Sequence, residues 1–286
     1  MGLIKAIDSG RMRGNFSSHA GDYDRYALVQ KRVVAMLHSK ISAFAKSGLM
    51  LDVGTGTGAL AAAILCSDSA QKLVVMDIAH GMTRQAAKSL PAVSACDGDA
   101  SHLPFADESF ATAVSSSVYQ WVDCLPKAFA EVARVLRPGG FFVVALFGEK
   151  TLCELRASHC QAIADSSGNR FSHVQSFPSV SEVSAAIDAA GLTHHDLRST
   201  MDVEFHSDVP DLLRQLKHIG ASNASVNRPR GLASRRVMQS MTRAYEESYR
   251  CDAGLPASYE VIIAVAEKPQ LQSPSARRLS DSTGRS

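Results

Sequence analysis

Between Tyr23 and Phe44 the apolar positions Val29, Val33, Met36, Leu37, Ile41 and Phe44 recur at helical spacing, which predicts one amphipathic helix over about residues 20–45. From residue 48 the period changes. The runs "LMLDV", "KLVVMD", "AVSAC", "FATAVSS" and "GFFVVALF" read as strands, separated by helical stretches near 58–66, 80–89 and 123–136. Alternation of this kind requires right-handed crossovers and a parallel sheet covered on both faces. "RPGG", Arg137 to Gly140, is a turn signal closing the third of these helices.

Beyond Phe147 the pattern gives a helix in "TLCELRASHCQAIA", a loop in "SSGNRFSHVQSFP", a helix from Ser179 and an extended run "THHDLRSTMDVEFHS". Ser179 and Ser181 with Glu182 supply N-capping chemistry. Residues 208–250 are helical again, and "SYEVIIAVAEK" is a last strand. The organisation expected is a flexible start over 1–14, one α/β domain over 15–268 with a helical cap at about 208–253, and a disordered tail over 269–286.

Composition narrows the class only a little. The chain has 286 residues, 45% hydrophobic and 20% charged, with a formal net charge of +2, so attraction to an acidic partner must come from a local patch. No run approaches signal-peptide length or the ~20 apolar residues of a membrane span. The Met-Gly start has Ala6 where myristoylation expects Ser or Thr. A cytoplasmic protein is expected. Six cysteines lack C-x-x-C spacing, and the adjacent His194 and His195 are not spaced to share a metal from one helix, so no metal is assigned.

"LDVGTGTGAL", Leu51 to Leu60, carries the candidate chemistry. Gly54, Gly56 and Ala59 fit the dinucleotide pattern G-x-G-x-x-G/A, so the glycines alone leave NAD and FAD open. Asp52 separates the readings. At the end of its strand its carboxylate would repel a pyrophosphate and attract an ammonium or sulfonium, a contact worth about 4 kcal/mol at 4 Å and an effective dielectric near 20. That favours S-adenosylmethionine (SAM), with helix capping as the other use of Asp52. Asp77 ends the second strand, where a carboxylate can accept ribose hydroxyls, and Asp99 in "CDGDASHLPF" follows the third, where it and the Ala100 N–H can meet an adenine.

D-x-G-x-G-x-G, the acid after strand two, "DGDASHLPFADESFATAVSS" and "EVARVLRPGG" resemble the class I SAM-dependent methyltransferases over residues 48–147. That resemblance implies a seven-stranded, mostly parallel Rossmann-like sheet whose last strand, here "SYEVIIAVAEK", is antiparallel. A narrower resemblance rests on "FSSHAGDYDRYALVQKRV", the Gln-Trp pair in "SSSVYQWVDCLPKAF", "TLCELRAS", "NRF", "LLRQLKHIGASN" and "NRPRGL". With these the chain is similar to the malonyl-acyl-carrier-protein O-methyltransferases of biotin synthesis. Thr55 stands where many relatives have cysteine. Mitochondrial complex I assembly factors with this fold share the E-L-R box; a transit segment rich in arginine is missing here.

What the resemblance implies is methylation of the free carboxylate of malonyl-acyl carrier protein or malonyl-CoA. Alternatives are methylation of another small carboxylic acid, and an assembly or chaperone protein that keeps the fold. On matching positions Asp52, Gly54, Gly56 and Gly58 would hold the methionine moiety, Asp77 the ribose, Asp99 and Ala100 the adenine, and Ser115 the loop after strand four. Tyr23 and Gln30 would close over SAM. A carboxylate is already ionised near neutral pH, so no general base is needed, but a dry pocket requires a positive clamp. Arg170 and then Arg156 are the candidates, with Tyr23 and Trp121 as pocket walls and a place in the core as the first account of Trp121. The acidic carrier protein calls for a basic face. Arg214, Lys217, Arg228, Arg230, Arg235, Arg236 and Arg243 occupy a stretch, Leu212 to Tyr245, without Asp or Glu and without the interleaved aromatics of an RNA-binding surface. Neither a nucleic acid nor a membrane is expected as a partner.

Overall fold

The computed structural model of the chain describes residues 8–164, 176–220 and 235–270. Three helices precede the sheet: α1 (Ser9–His19), α2 (Tyr23–Tyr26) and α3 (Leu28–Phe44). Alternation then gives β1 (Met50–Val53), α4 (Ala59–Ser67), β2 (Leu73–Asp77), α5 (His80–Ser89), β3 (Ser94–Asp97), β4 (Phe110–Ser116), α6 (Leu125–Val135) and β5 (Leu136–Phe147). The remaining elements are α7 (Cys153–Ala164), α8 (Val180–Ala189), β6 (Thr193–His206), α9 (Val209–His218), α10 (Arg235–Tyr249) and β7 (Leu255–Glu267).

The strands form one seven-stranded sheet of order β3-β2-β1-β4-β5-β7-β6. The first five are parallel, and β7 pairs antiparallel with β5 on one side and β6 on the other. Strand order reverses between β1 and β4, which opens a crevice beyond their C-terminal ends. Both faces are covered. Along β5, Phe141, Val143, Ala145 and Phe147 enter the core beneath α3, while Phe142, Val144 and Leu146 enter the one beneath α6 and α8. Val29, Val33, Leu37 and Ile41 of α3 are all buried at a four-residue interval, each contributing about 1.5–3 kcal/mol by leaving water. Ser179 and Glu182 form a reciprocal capping box at the start of α8.

Three features differ from the sequence reading. The single helix expected over 20–45 is broken at Ala27, whose ψ of 51° ends α2 and starts α3 in a new direction. The start expected to be flexible over 1–14 contains most of α1, capped by Asp8 and anchored through Met12 and Phe16, an i, i+4 pair that packs against Ile78 and Trp121. "RPGG" closes α6 as expected, but without a separate turn between helix and strand. The chain passes directly from α6 into β5, with Gly139 at φ 76° and a register shift against β4. A Cβ on Gly140 would lie 2.8 Å from the Arg137 carbonyl oxygen, so the second glycine permits this bulged start.

Candidate active site

A cavity of about 390 Å³ lies at the reversal of strand order. It is lined from β1 by Asp52 and the glycine loop, from β2 by Asp77, from the segment after β3 by Asp99 and Ala100, and from the end of β4 and the residue beyond it by Ser116 and Ser117. Helices α1 to α3 cover it with Met12, Phe16, Tyr23, Asp24, Gln30 and Lys31. Of the residues assigned to SAM from sequence, Tyr23, Gln30, Asp52, Gly54, Gly56, Asp77, Asp99 and Ala100 therefore meet around one space.

Asp52 is 1% exposed, and its two oxygens differ. Oδ2 accepts from the Thr55 hydroxyl at 2.8 Å, whereas Oδ1 is buried without a partner. Burial pushes this carboxyl up to about 7; the Thr55 hydrogen bond opposes the shift and the nearby Asp77 charge adds to it. Asp77 is engaged through both oxygens, accepting from the Gly56 N–H at 2.9 Å and the Ala79 N–H at 2.8 Å. It thus holds the glycine loop and the start of α5 while keeping acceptor capacity toward the cavity, since a carboxylate has about four lone-pair sites. Burial raises its pKa to about 6, opposed by the N–H groups of Ala79 and Gly56. Burial, followed by the charges of Asp77 and Asp24, raises the Tyr23 phenol further above its ordinary value. Tyr23 is a neutral hydroxyl at the mouth of an acidic chamber.

The glycines have separate reasons. At Gly54, φ 70°, a Cβ would strike Val118 Cγ2 at 2.2 Å. At Gly56, φ 58°, nothing lies within 4 Å of that position, so the backbone is bare toward the cavity. Gly58 does not line the cavity; it is the left-handed N-cap of α4 beside Leu90.

Besides Gly58, which was expected to hold the methionine moiety, two assignments need correction. Ser115 is fully buried within β4 and donates to the Val53 carbonyl at 2.7 Å, because the strand's alternation points it into the sheet; Ser116 and Ser117 reach the cavity instead. Arg156 in α7 donates to the Glu149 carbonyl and does not line the cavity, so it is no clamp for a carboxylate there. Arg170 lies outside the described residues, as do Arg228 and Arg230. Arg214 and Lys217 are exposed on α9, Arg214 with Asp211 at 3.5 Å, and Arg235 and Arg236 are exposed in the first turn of α10. Trp121 is half-buried on the cavity wall with its ring edge-on to Phe16 at 5.6 Å.

Sequence reasoning missed Asp24, Thr57, Lys31, Met12 and Phe16. The Thr57 hydroxyl donates to Asp24 at 2.7 Å, joining α2 to the glycine loop. The adjacent Tyr-Asp pair was the available signal for Asp24, and the i, i+4 spacing of Met12 and Phe16 the signal for α1. Among the described residues no group of three His, Cys, Asp or Glu side chains converges as a metal site, and no helix is long and apolar enough to cross a membrane.

Comparison with known proteins agrees with this geometry. Residues 51–144 match the model of a methyltransferase domain. A malonyl-[acyl-carrier protein] O-methyltransferase from Geobacter sulfurreducens is 40% identical over 92% of this chain and 100% of its own length. The biotin biosynthesis bifunctional protein BioHC of Teredinibacter turnerae is 33% identical over 93% of this chain, which spans 48% of that longer protein. The crystal structure of the YcgJ protein of Bacillus subtilis shares the fold, with a TM-score of 0.58 at 20% identity over 84% of this chain and 99% of that one. Identity of this extent, over the whole of a relative's length and around an acid-lined crevice, places the chain in the malonyl-[acyl-carrier protein] O-methyltransferase family.

Proposed function

We propose that the protein transfers the methyl group of SAM to the free carboxylate of malonyl-acyl carrier protein, or of malonyl-CoA, forming the methyl ester as an early step of biotin synthesis. The carrying observation is the buried, unpartnered Oδ1 of Asp52 beside a bare glycine backbone, in a chain that covers the full length of a malonyl-[acyl-carrier protein] O-methyltransferase with 92% of its own.

The residues present fit the cofactor. A buried oxygen without a donor is costly and is relieved by an ammonium. Asp52 would take the amino group of the methionine moiety, Asp77 the ribose hydroxyls, and Asp99 with the Ala100 N–H the adenine. When bound, SAM supplies an electrophilic methyl on a sulfonium. The chain's own work is placement: Tyr23, Gln30 and α1 close the mouth, and Phe16, Met12 and Trp121 keep the reacting region apolar. A carboxylate nucleophile needs no proton removed, so alignment and exclusion of water carry the rate, and alignment alone accounts for about 7–11 kcal/mol in favourable cases. Arg170 remains the proposed partner of the malonyl carboxylate. Arg214, Lys217, Arg228, Arg230, Arg235 and Arg236 are proposed to face the acidic carrier.

Incubation with labelled SAM and malonyl, acetyl and succinyl carrier proteins, followed by mass measurement, tests the reading. The expected product is malonyl carrier heavier by one methyl group, with the acetyl form untouched. Label on none of the three, from protein that binds SAM, would refute the assignment of acceptor.

A further inference from the structure

The large apolar side chains left exposed among the described residues are Leu28, Met201, Val203 and Phe205. Met201, Val203 and Phe205 share one face of β6. Asp202 between them faces the other way, where the Arg32 guanidinium of α3 bonds it at 2.7 Å. β6 is an outer strand of the sheet: β7 pairs with one edge, and among the described residues no strand pairs with the other. From Asp196 to His206 its register is unbroken, roughly 35 Å of strand at about 3.4 Å per residue. A free edge of this length, without proline and with Met201, Val203 and Phe205 exposed beside it, can pair with another strand whose charges match its own.

We propose that this edge binds a second copy of the chain, β6 against β6 in antiparallel register, with the two-fold axis at Met201. The charges choose the occupant. Asp196 is held by Lys40 and Arg198, Asp202 by Arg32, and Glu204 stands beside them, so the strand presents both signs and a second copy of it can match them. They also choose the register. An axis at Met201 opposes Arg198 to Glu204, Leu197 to Phe205 and Ser199 to Val203, and sets no like charges opposite each other. An axis at Thr200 opposes Asp196 to Glu204, one at Asp202 opposes that aspartate to itself, and one at Val203 opposes Asp202 to Glu204. Like charges directly opposite destabilise a pair of strands. Arg198 is 59% exposed and bonds Asp196 of its own strand at 2.8 Å, so reaching across to Glu204 extends or exchanges that pair. None of these β6 residues lines the cavity, and the interface leaves the crevice open.

Sedimentation equilibrium of the full chain from about 1 to about 100 µM tests the proposal. The expected species is a dimer of the 30.5 kDa chain that dissociates on dilution. Met201→Lys, which puts two lysines face to face on the axis, should yield monomer with unchanged circular dichroism and SAM affinity. Arg198→Glu and Glu204→Arg should each weaken the dimer about tenfold, because two symmetric pairs are lost, and the double exchange should restore it. A 30.5 kDa species at every concentration overturns the proposal, as does a dimer indifferent to Met201→Lys. A dimer lost in Met201→Lys but not restored by the charge exchange overturns the register.

Discussion

The Thr57 hydroxyl donates to the Asp24 carboxylate over 2.7 Å, so the glycine loop and the short helix α2 meet across the mouth of the cavity. This is a latch between an element that holds ligand and an element that covers it. Thr57→Val should raise the KM for SAM about threefold to tenfold, the loss expected for one hydrogen bond to a charged group, with little effect on kcat. Asp24→Ala should do the same, and the double variant should be no worse than either single one. Additive losses would show that the two residues act separately.

Asp52 and Asp77 make ligand binding dependent on pH. Burial holds them near 7 and near 6 in the ligand-free protein, above the ordinary carboxylate value of about 4. An acid with a raised folded pKa binds its proton more tightly folded than unfolded. Its contribution to stability is present below about pH 4 and disappears as pH rises through about 7. The cationic methionine moiety needs the ionised forms, so calorimetric affinity for SAM should fall as pH is lowered through about 7, approaching tenfold per unit. Binding near pH 6.5 should release protons, read as an enthalpy that changes with the buffer. In Asp52→Asn the first of these titrations should vanish and affinity drop by about 2–3 kcal/mol. Constant affinity across this range would contradict the assignment of Asp52.

Gly54 and Gly56 have similar backbone angles but different surroundings, and alanine should separate them. Each substitution meets the left-handed penalty of about 1–2 kcal/mol, and only Gly54→Ala adds the collision with Val118, about 1–3 kcal/mol more. Urea unfolding should rank Gly54→Ala as the less stable variant. Gly56→Ala should instead lose SAM affinity while nearly keeping its fold, because its Cβ enters the cavity. Equal midpoints would contradict the packing account.

Reversal of Arg235 and Arg236 to Glu should raise the KM for malonyl-acyl carrier protein at least tenfold and leave malonyl-CoA within about twofold, since an encounter between charged surfaces depends on the whole patch. The wild-type preference for the carrier form should shrink with added salt. Equal effects on the two substrates would remove these arginines from the docking face.

The α/β order, the strand positions and the acids at three strand tips were legible because each rests on local pattern: period two, period 3.6, and a carboxylate next to a turn. Ser115 was not, since the run "FATAVSS" ends in two serines followed by a third, and only the folded strand shows that Ser115 is bonded to the Val53 carbonyl while Ser116 and Ser117 face the crevice. Arg156 shows the same limit from another side. Its motif marks a helix, but only the fold reveals that its guanidinium is held by the Glu149 carbonyl. The cover formed by α1 escaped notice because its apolar pair, Met12 and Phe16, is too short a pattern to register beside glycines and serines. The edge of β6 needed the sheet order, because nothing in "STMDVEFHS" states which of its neighbours are absent.

The place of β7 has a consequence for biosynthesis. It stands between β5 and β6, so among the described residues the last strand is the one that joins β6 to the sheet and completes the pairing of β5. A nascent chain that has not yet reached Leu255 has β5 bare along one side and β6 with no sheet to join. Until the final strand leaves the ribosome, the apolar residues of both remain open to chaperones, and a truncation ahead of Leu255 removes the keystone of that half of the molecule.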